Sequence, residues 1–158
     1  MSMEKQAKNW RHYVARDTGE CTVVRPEGDR ERISYQLGII ETGSSRVFAG
    51  YFITVTMSED EEITGEDSGS LVAALWRLAR NVSARGLRLR CAGMSGQWRE
   101  SGLSQNTGWG YFGRHQQPMH MMDLTPEGGG PDTIDEMIRE AVGAMKIGLT
   151  EKAAVRHS

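Results

Sequence analysis

Apolar and polar positions alternate with a period of two over much of the first half of the chain, the spacing that lays one face of a strand against a core. Ile33, Tyr35, Leu37 and Ile39 share a face of a predicted strand that follows the turn-like Pro26-Glu27-Gly28-Asp29 and ends at Thr42-Gly43-Ser44-Ser45. The next run is the most regular. Val47, Ala49, Tyr51, Ile53, Val55 and Met57 fall on one side, and Phe48, Gly50, Phe52, Thr54 and Thr56 on the other. Apolar residues on both sides predict packing on both faces of the sheet near Phe48 and Phe52. Upstream, two β-prone runs over 10–16 and 20–25 flank Asp17-Thr18-Gly19, whose composition predicts a hairpin turn. A helix over 4–15 competes with the first run, but the aromatic and β-branched content after Trp10 favours a strand.

The period then changes. After a polar, acidic stretch over 58–67, Ser68 or Ser70 stands in an N-cap position, and Leu71, Leu75, Leu78 and Val82 recur at helical spacing up to a stop at Gly86. Leu87, Leu89 and Cys91 alternate with Arg88 and Arg90, a strand with its guanidiniums outward. Residues 94–117 show little periodicity. They are rich in Gly, Ser, Asn and Gln around Trp98, Trp109 and Tyr111, and read as a long functional loop, since embedded aromatics argue against plain disorder. A Met-rich strand over 118–124 and a glycine-rich linker over 125–131 follow. Thr133 and Glu136 then form a capping box ahead of Ile134, Met137, Ile138, Ala141, Val142 and Met145, a second helix closed by Gly148, and 150–158 reads as a frayed tail. The expected order is β-β-β-β-α-β-β-α, an α+β fold in which an antiparallel sheet of about six strands carries both helices on one face.

Composition narrows the class. With 158 residues, 38% hydrophobic and 25% charged, the chain is expected to form a single domain over 1–158 that folds without staples. No apolar run approaches the ~20 residues a bilayer demands, and residues 1–10 are polar where a secretory signal would be apolar, so the expected location is the cytoplasm, with no membrane partner. Cys21 and Cys91 lack C-x-x-C spacing and read as free structural thiols. A net charge of -2 lacks the electrostatic footprint of a dedicated nucleic-acid binder.

The motifs that suggest chemistry each lack the context their chemistry needs. Gly108-Trp109-Gly110-Tyr111-Phe112-Gly113 fits G-x-G-x-x-G, but no helix follows to present amides to a pyrophosphate. His115, His120 and Asp123 have the residue types of a zinc or iron site, yet on a strand His120 and Asp123 point to opposite faces. Ser101 and Ser104 lack the G-x-S-x-G elbow and read as turn residues. The expectation is therefore no cofactor, no metal and no catalytic residue. What remains is surface. Glu59, Asp60, Glu61, Glu62, Glu66 and Asp67 are six carboxylates within a short run. Such a run is most simply a solvated loop; its functional reading is a negative patch that steers a basic partner.

The segment 71–90, with Trp98-Arg99-Glu100-Ser101-Gly102-Leu103-Ser104-Gln105-Asn106 and Gly108-Trp109-Gly110-Tyr111, resembles the small bacterial immunity proteins encoded beside polymorphic toxins, including those of contact-dependent growth inhibition. The resemblance spans about the central third of the chain and carries no diagnostic motif. It implies a non-enzymatic cytoplasmic protein that binds and neutralises a cognate toxin domain, often a nuclease. On the residues themselves, Trp98, Trp109 and Tyr111 would anchor that partner, and Glu59, Asp60, Glu61 and Glu62 would form a charged rim facing a basic domain. Two alternatives belong to other classes: a small hydrolase or nuclease using 95–117 as an active-site lid, and an assembly subunit that self-associates through Phe48 and Phe52.

Overall fold

The structure is a computed structural model that describes residues 10–58 and 60–125. These residues are mostly antiparallel sheet with one helix. In chain order the elements are β1 (Arg11–Val24), β2 (Arg30–Thr42), β3 (Val47–Thr56), β4 (Glu62–Asp67), α1 (Leu71–Ser83) and β5 (Arg88–Arg90). A 3-10 turn (Ala92–Met94) then leads to β6 (Trp98–Arg99), β7 (Trp109–Phe112) and β8 (Gln117–His120). Five strands pair in the order β4-β3-β2-β1-β5, and β6-β7-β8 form a second sheet. The expected single sheet of about six strands is thus corrected to two sheets. The second helix, with Met137 and Met145, and the 150–158 tail fall outside the described residues; of the competing helix over 4–15, residues 4–9 also fall outside them and the part from Arg11 on is strand.

Alternation decides which face of the large sheet is core. Cys21, Val23, Ile33, Tyr35, Leu37, Ile53, Val55 and Ile63 are all buried, and α1 lays Leu71, Ala74, Leu75, Leu78 and Val82 in the same cluster. The helix starts where its cap chemistry says it should: the Ser70 side chain accepts from the Ala73 N–H at 3.0 Å. Its approach to the sheet is set by Gly65 on β4, because a Cβ there would run into the backbone of Ala74 and Leu78.

Two expectations about the strands fail for identifiable reasons. Asp17-Thr18-Gly19 is not a hairpin turn. Here β1 runs straight through, pairing these residues with Leu37, Gln36 and Tyr35, and the only disturbance is a register shift between Ala15 and Asp17. Turn-like residues occupy these places for tertiary reasons: a Cβ on Gly19 would lie 2.9 Å from the Tyr35 hydroxyl, and Asp17 reaches a partner in the small sheet. The acidic stretch, too, is only partly a loop. Residues 62–67 form an edge strand, since Ile63 and Gly65 turn inward between the polar residues Glu62, Thr64 and Glu66, and Ile63 pairs with Val55. As for the face near Phe48 and Phe52, Phe52 is buried with Tyr13 against it edge-on at 5.2 Å, while Phe48 is half exposed.

Both cysteines are free and buried. Burial pushes the Cys21 thiol up to about 12 and raises Cys91 as well. Since the thiolate is the reactive species, both should react with a disulfide reagent roughly a hundredfold or more slower in the native than in the denatured protein. Thiol titration with and without denaturant checks this; a fast native thiol would show that one of them is solvent-accessible. Among the described residues no helix is long and apolar enough to cross a membrane.

Candidate functional site

The stretch expected to be an aperiodic loop is a small sheet with a strict division of faces. Trp98 pairs with Phe112 and Arg99 with Tyr111, while Tyr111 also pairs with Pro118. Paired residues share a side, so Trp98, Gly110, Phe112 and Met119 turn inward and are buried, whereas Arg99, Trp109, Tyr111 and Pro118 include the exposed positions. The hairpin between β7 and β8 turns through Gly113 at φ 76° and Gln116 at φ 51°.

This division separates the three aromatics that the sequence groups together. Trp98 is 7% exposed. Its ring fills the space over Gly110, where a Cβ would come within 2.7 Å of Cζ2, and its indole N–H donates to the Met119 carbonyl at 2.9 Å. It belongs to the core and offers no surface to a partner, which removes it from the expected anchors. Trp109 and Tyr111 are 50% and 40% exposed. The alternation Trp-Gly-Tyr-Phe over 109–112 carries that distinction in the sequence, but a run of this length is too short to stand out among glycines and serines.

His120 has the parity of the outer face, opposite Trp109, yet it is only 3% exposed. Three residues enclose it. Asp17 lies 2.6 Å from Nε2, Tyr35 stacks on the ring at 5.6 Å between centroids, and Trp109 meets it edge-on at 5.1 Å. The Met122 N–H donates to Nδ1 at 3.1 Å, so the ring proton sits on Nε2 and is donated to Asp17. Both nitrogens are occupied. The residue pins the small sheet to β1 and has no lone pair left for a substrate proton. Burial, reinforced by Asp17, raises the Tyr35 hydroxyl and keeps it in its phenol form. Nothing local in the sequence marks the Asp17–His120 pair, which spans 103 positions.

The Ser101 and Ser104 hydroxyls lie 2.7 Å apart, and each also accepts the other residue's backbone N–H, an arrangement that closes a turn. Asn106, at φ 62°, donates its N–H to Glu100 at 2.6 Å and accepts the Leu71 N–H on Oδ1 at 2.9 Å, tying this turn to the start of α1. Among the described residues no three of His, Cys, Asp and Glu gather as a metal cluster, His115, His120 and Asp123 included.

The acidic run is largely occupied within the chain. Glu61 pairs with Arg85, and Glu66 accepts from Arg11 at 2.6 Å and from the Tyr13 hydroxyl at 2.7 Å. Asp67 accepts from the backbone N–H groups of Gly69 and Ser70 and from Arg77, and those bonds hold its carboxyl below the ordinary range. The carboxylates of Asp60 and Glu62 are exposed and have no partner among the described residues, and Glu59 lies outside them. The negative rim is therefore narrower than the run of carboxylates suggests.

Beside the outer face of the small sheet lies an open hollow of about 600 Å³, lined by Gln97, Arg99, Glu100, Ser101, Tyr111 and Arg114, among others. It adjoins the exposed aromatics through Tyr111. No protein-family model matches the chain, and no curated protein matches it in sequence.

Proposed function

We propose that the chain is a protein-binding inhibitor of the immunity-protein kind, which sits in the bacterial cytoplasm and blocks a cognate toxin domain by covering it. The observation that supports this best is the outer face of β7. Trp109 and Tyr111 stand on a strand whose opposite face is core, so large aromatic surface is presented with little conformational freedom left to lose on binding. Hot-spot residues have this character, large and amphipathic and held in place before the partner arrives. The hollow beside Tyr111 supplies polar contacts around them. Because Glu61, Glu66 and Asp67 already have cationic partners, the acidic stretch adds only a rim at Asp60 and Glu62 toward a basic domain, and the aromatic face carries the reading.

Co-expression with the product of the neighbouring gene tests it. The two should co-purify in a defined ratio, and the chain should relieve that product's toxicity. Trp109→Ala or Tyr111→Ala should each weaken the complex by about 2 kcal/mol while costing the free protein no more than about 1 kcal/mol of stability. A parent chain that neither binds nor protects ends the reading; a complex indifferent to both substitutions moves the interface elsewhere.

A further inference from the structure

The hollow between β6 and the β7–β8 turn holds two guanidiniums that the described chain does not neutralise. Arg11, Arg25, Arg77 and Arg85 each lie against a carboxylate. The side chains of Arg99 and Arg114, both exposed, have neither an ion pair nor a hydrogen bond among the described residues. The carboxylate in the wall, Glu100, accepts the Asn106 backbone N–H at 2.6 Å. Positive potential therefore faces solvent at the rim of the exposed aromatic face.

We propose that this hollow takes an acidic segment of a partner protein, with Asp or Glu carboxylates engaging Arg99 and Arg114. The inference rests on the protein-binding reading above and adds the chemistry of the partner's contact to it. Donor type favours a carboxylate side chain over a free inorganic anion. Sites that cradle phosphate commonly aim main-chain N–H groups at it, but here four of the wall's main-chain N–H groups are already used within the chain. The Gln97 N–H goes to Ser95 Oγ at 3.2 Å, Ser101 to Ser104 Oγ at 3.3 Å, Gly113 to the Gln97 carbonyl at 3.0 Å, and Gln116 to the Gly113 carbonyl at 3.2 Å. The cationic donors of the wall are side chains, and the planar guanidinium fork matches a carboxylate in two parallel bonds. Shape favours a peptide. The hollow is open to solvent, and its wall continues through the ring of Tyr111 towards Trp109, so a residue beside the bound acid has apolar surface to rest on.

The test is a titration of the full, isotope-labelled chain followed by NMR. The probe is the capped peptide acetyl-Glu-Glu-Tyr-Glu-Glu-amide, with its Lys-for-Glu counterpart and inorganic phosphate as separate arms. The acidic peptide should give saturable shifts at Arg99, Tyr111 and Arg114 that weaken as salt rises, and the lysine peptide should give none there. In the double variant Arg99→Gln/Arg114→Gln, binding should be about tenfold weaker, the sum of two modest exposed charge contacts. Arg99→Lys/Arg114→Lys keeps the charge without the fork and should fall between parent and Gln variant. Absence of saturable shifts, equal binding by the Gln variant, or equal shifts with the lysine peptide overturns the proposal. Phosphate producing the same shifts at the same or lower concentration overturns it in favour of a free anion. The neighbouring gene product binding the Gln variant as tightly as the parent overturns it while leaving the protein-binding reading intact. Failure of that reading looks different: the gene product binds neither form, while the acidic peptide still saturates the hollow.

Discussion

Trp98→Ala is expected to destabilise the protein by about 3 to 5 kcal/mol, the range for deleting a buried large aromatic from a packed core. The substitution removes a ring that lies over Gly110 and an indole N–H that bonds the Met119 carbonyl, so it leaves both a cavity and a buried acceptor without its donor. Trp109→Ala, made eleven residues later on the same small sheet, removes a ring that is half in water, and its effect on folding should stay near or below about 1 kcal/mol. Denaturant unfolding of the two variants checks the contrast. If Trp98→Ala is as stable as the parent, the inward face of β6 is not the core surface described above. The two substitutions also separate folding from binding. Partner affinity lost by Trp98→Ala should track lost stability, whereas that lost by Trp109→Ala should not.

The second large effect is expected at Gly65. Replacing it with Ala offers two opposed terms. Its φ is not in the left-handed region, so the alanine needs no unusual backbone, and restricting the unfolded chain would favour the folded state by about 0.4 to 1 kcal/mol. Against this, the added methyl meets the backbone of Ala74 and Leu78, which cannot rotate aside as a side chain would. Relief requires moving α1 away from β3 and β4, which loosens Leu75 and Leu78 in the core. Overpacking of this kind should cost about 3 kcal/mol and outweigh the entropic gain. Gly102→Ala is the matched control: nothing lies within 4 Å of its Cβ position and its φ is also ordinary, so its stability should equal or slightly exceed the parent's. A Gly65→Ala protein that unfolds with or above Gly102→Ala would mean that the helix does not sit as close as the structure places it.

What could be read from the sequence was what short-range chemistry decides. Ser70, Leu71, Leu75, Leu78 and Val82 announce α1 and its start, because a cap and a helical stripe are complete within one element. Ile33, Tyr35 and Leu37, and likewise Ile53 and Val55, announce strands, because burial on one face enforces a period of two over enough residues to be seen. The two cysteines without disulfide spacing belong to the same kind of local fact, and both are free in the structure.

Where a residue's conformation is chosen by something distant, the local signal pointed the wrong way. Asp17 and Gly19 have turn composition, yet β1 passes through them because one bonds His120 in the other sheet and the other makes room for Tyr35. Trp98 and Trp109 are the same residue type in the same glycine-rich surroundings. Trp98 pairs with Phe112 on the inward side of the small sheet, while Trp109 pairs with His120 on the other, a choice that exists only once the strands are aligned. The carboxylates of the acidic run follow the same rule, since Glu66 meets Arg11 across 55 positions and Glu61 meets Arg85 at the end of α1, leaving less open charge than the sequence displays. Arg99 and Arg114 carried no motif at all; the fold brings them to one hollow and leaves their guanidiniums without an ion pair within the described residues, the wall's own carboxylate, Glu100, accepting the Asn106 N–H. Sequence by itself determined the helix, the strands β2 and β3 and the free thiols, each fixed by interactions within a few residues. Tertiary structure alone decided the second sheet, the His120 pin and which aromatic and charged groups face solvent, because those depend on contacts between segments that local chemistry does not couple.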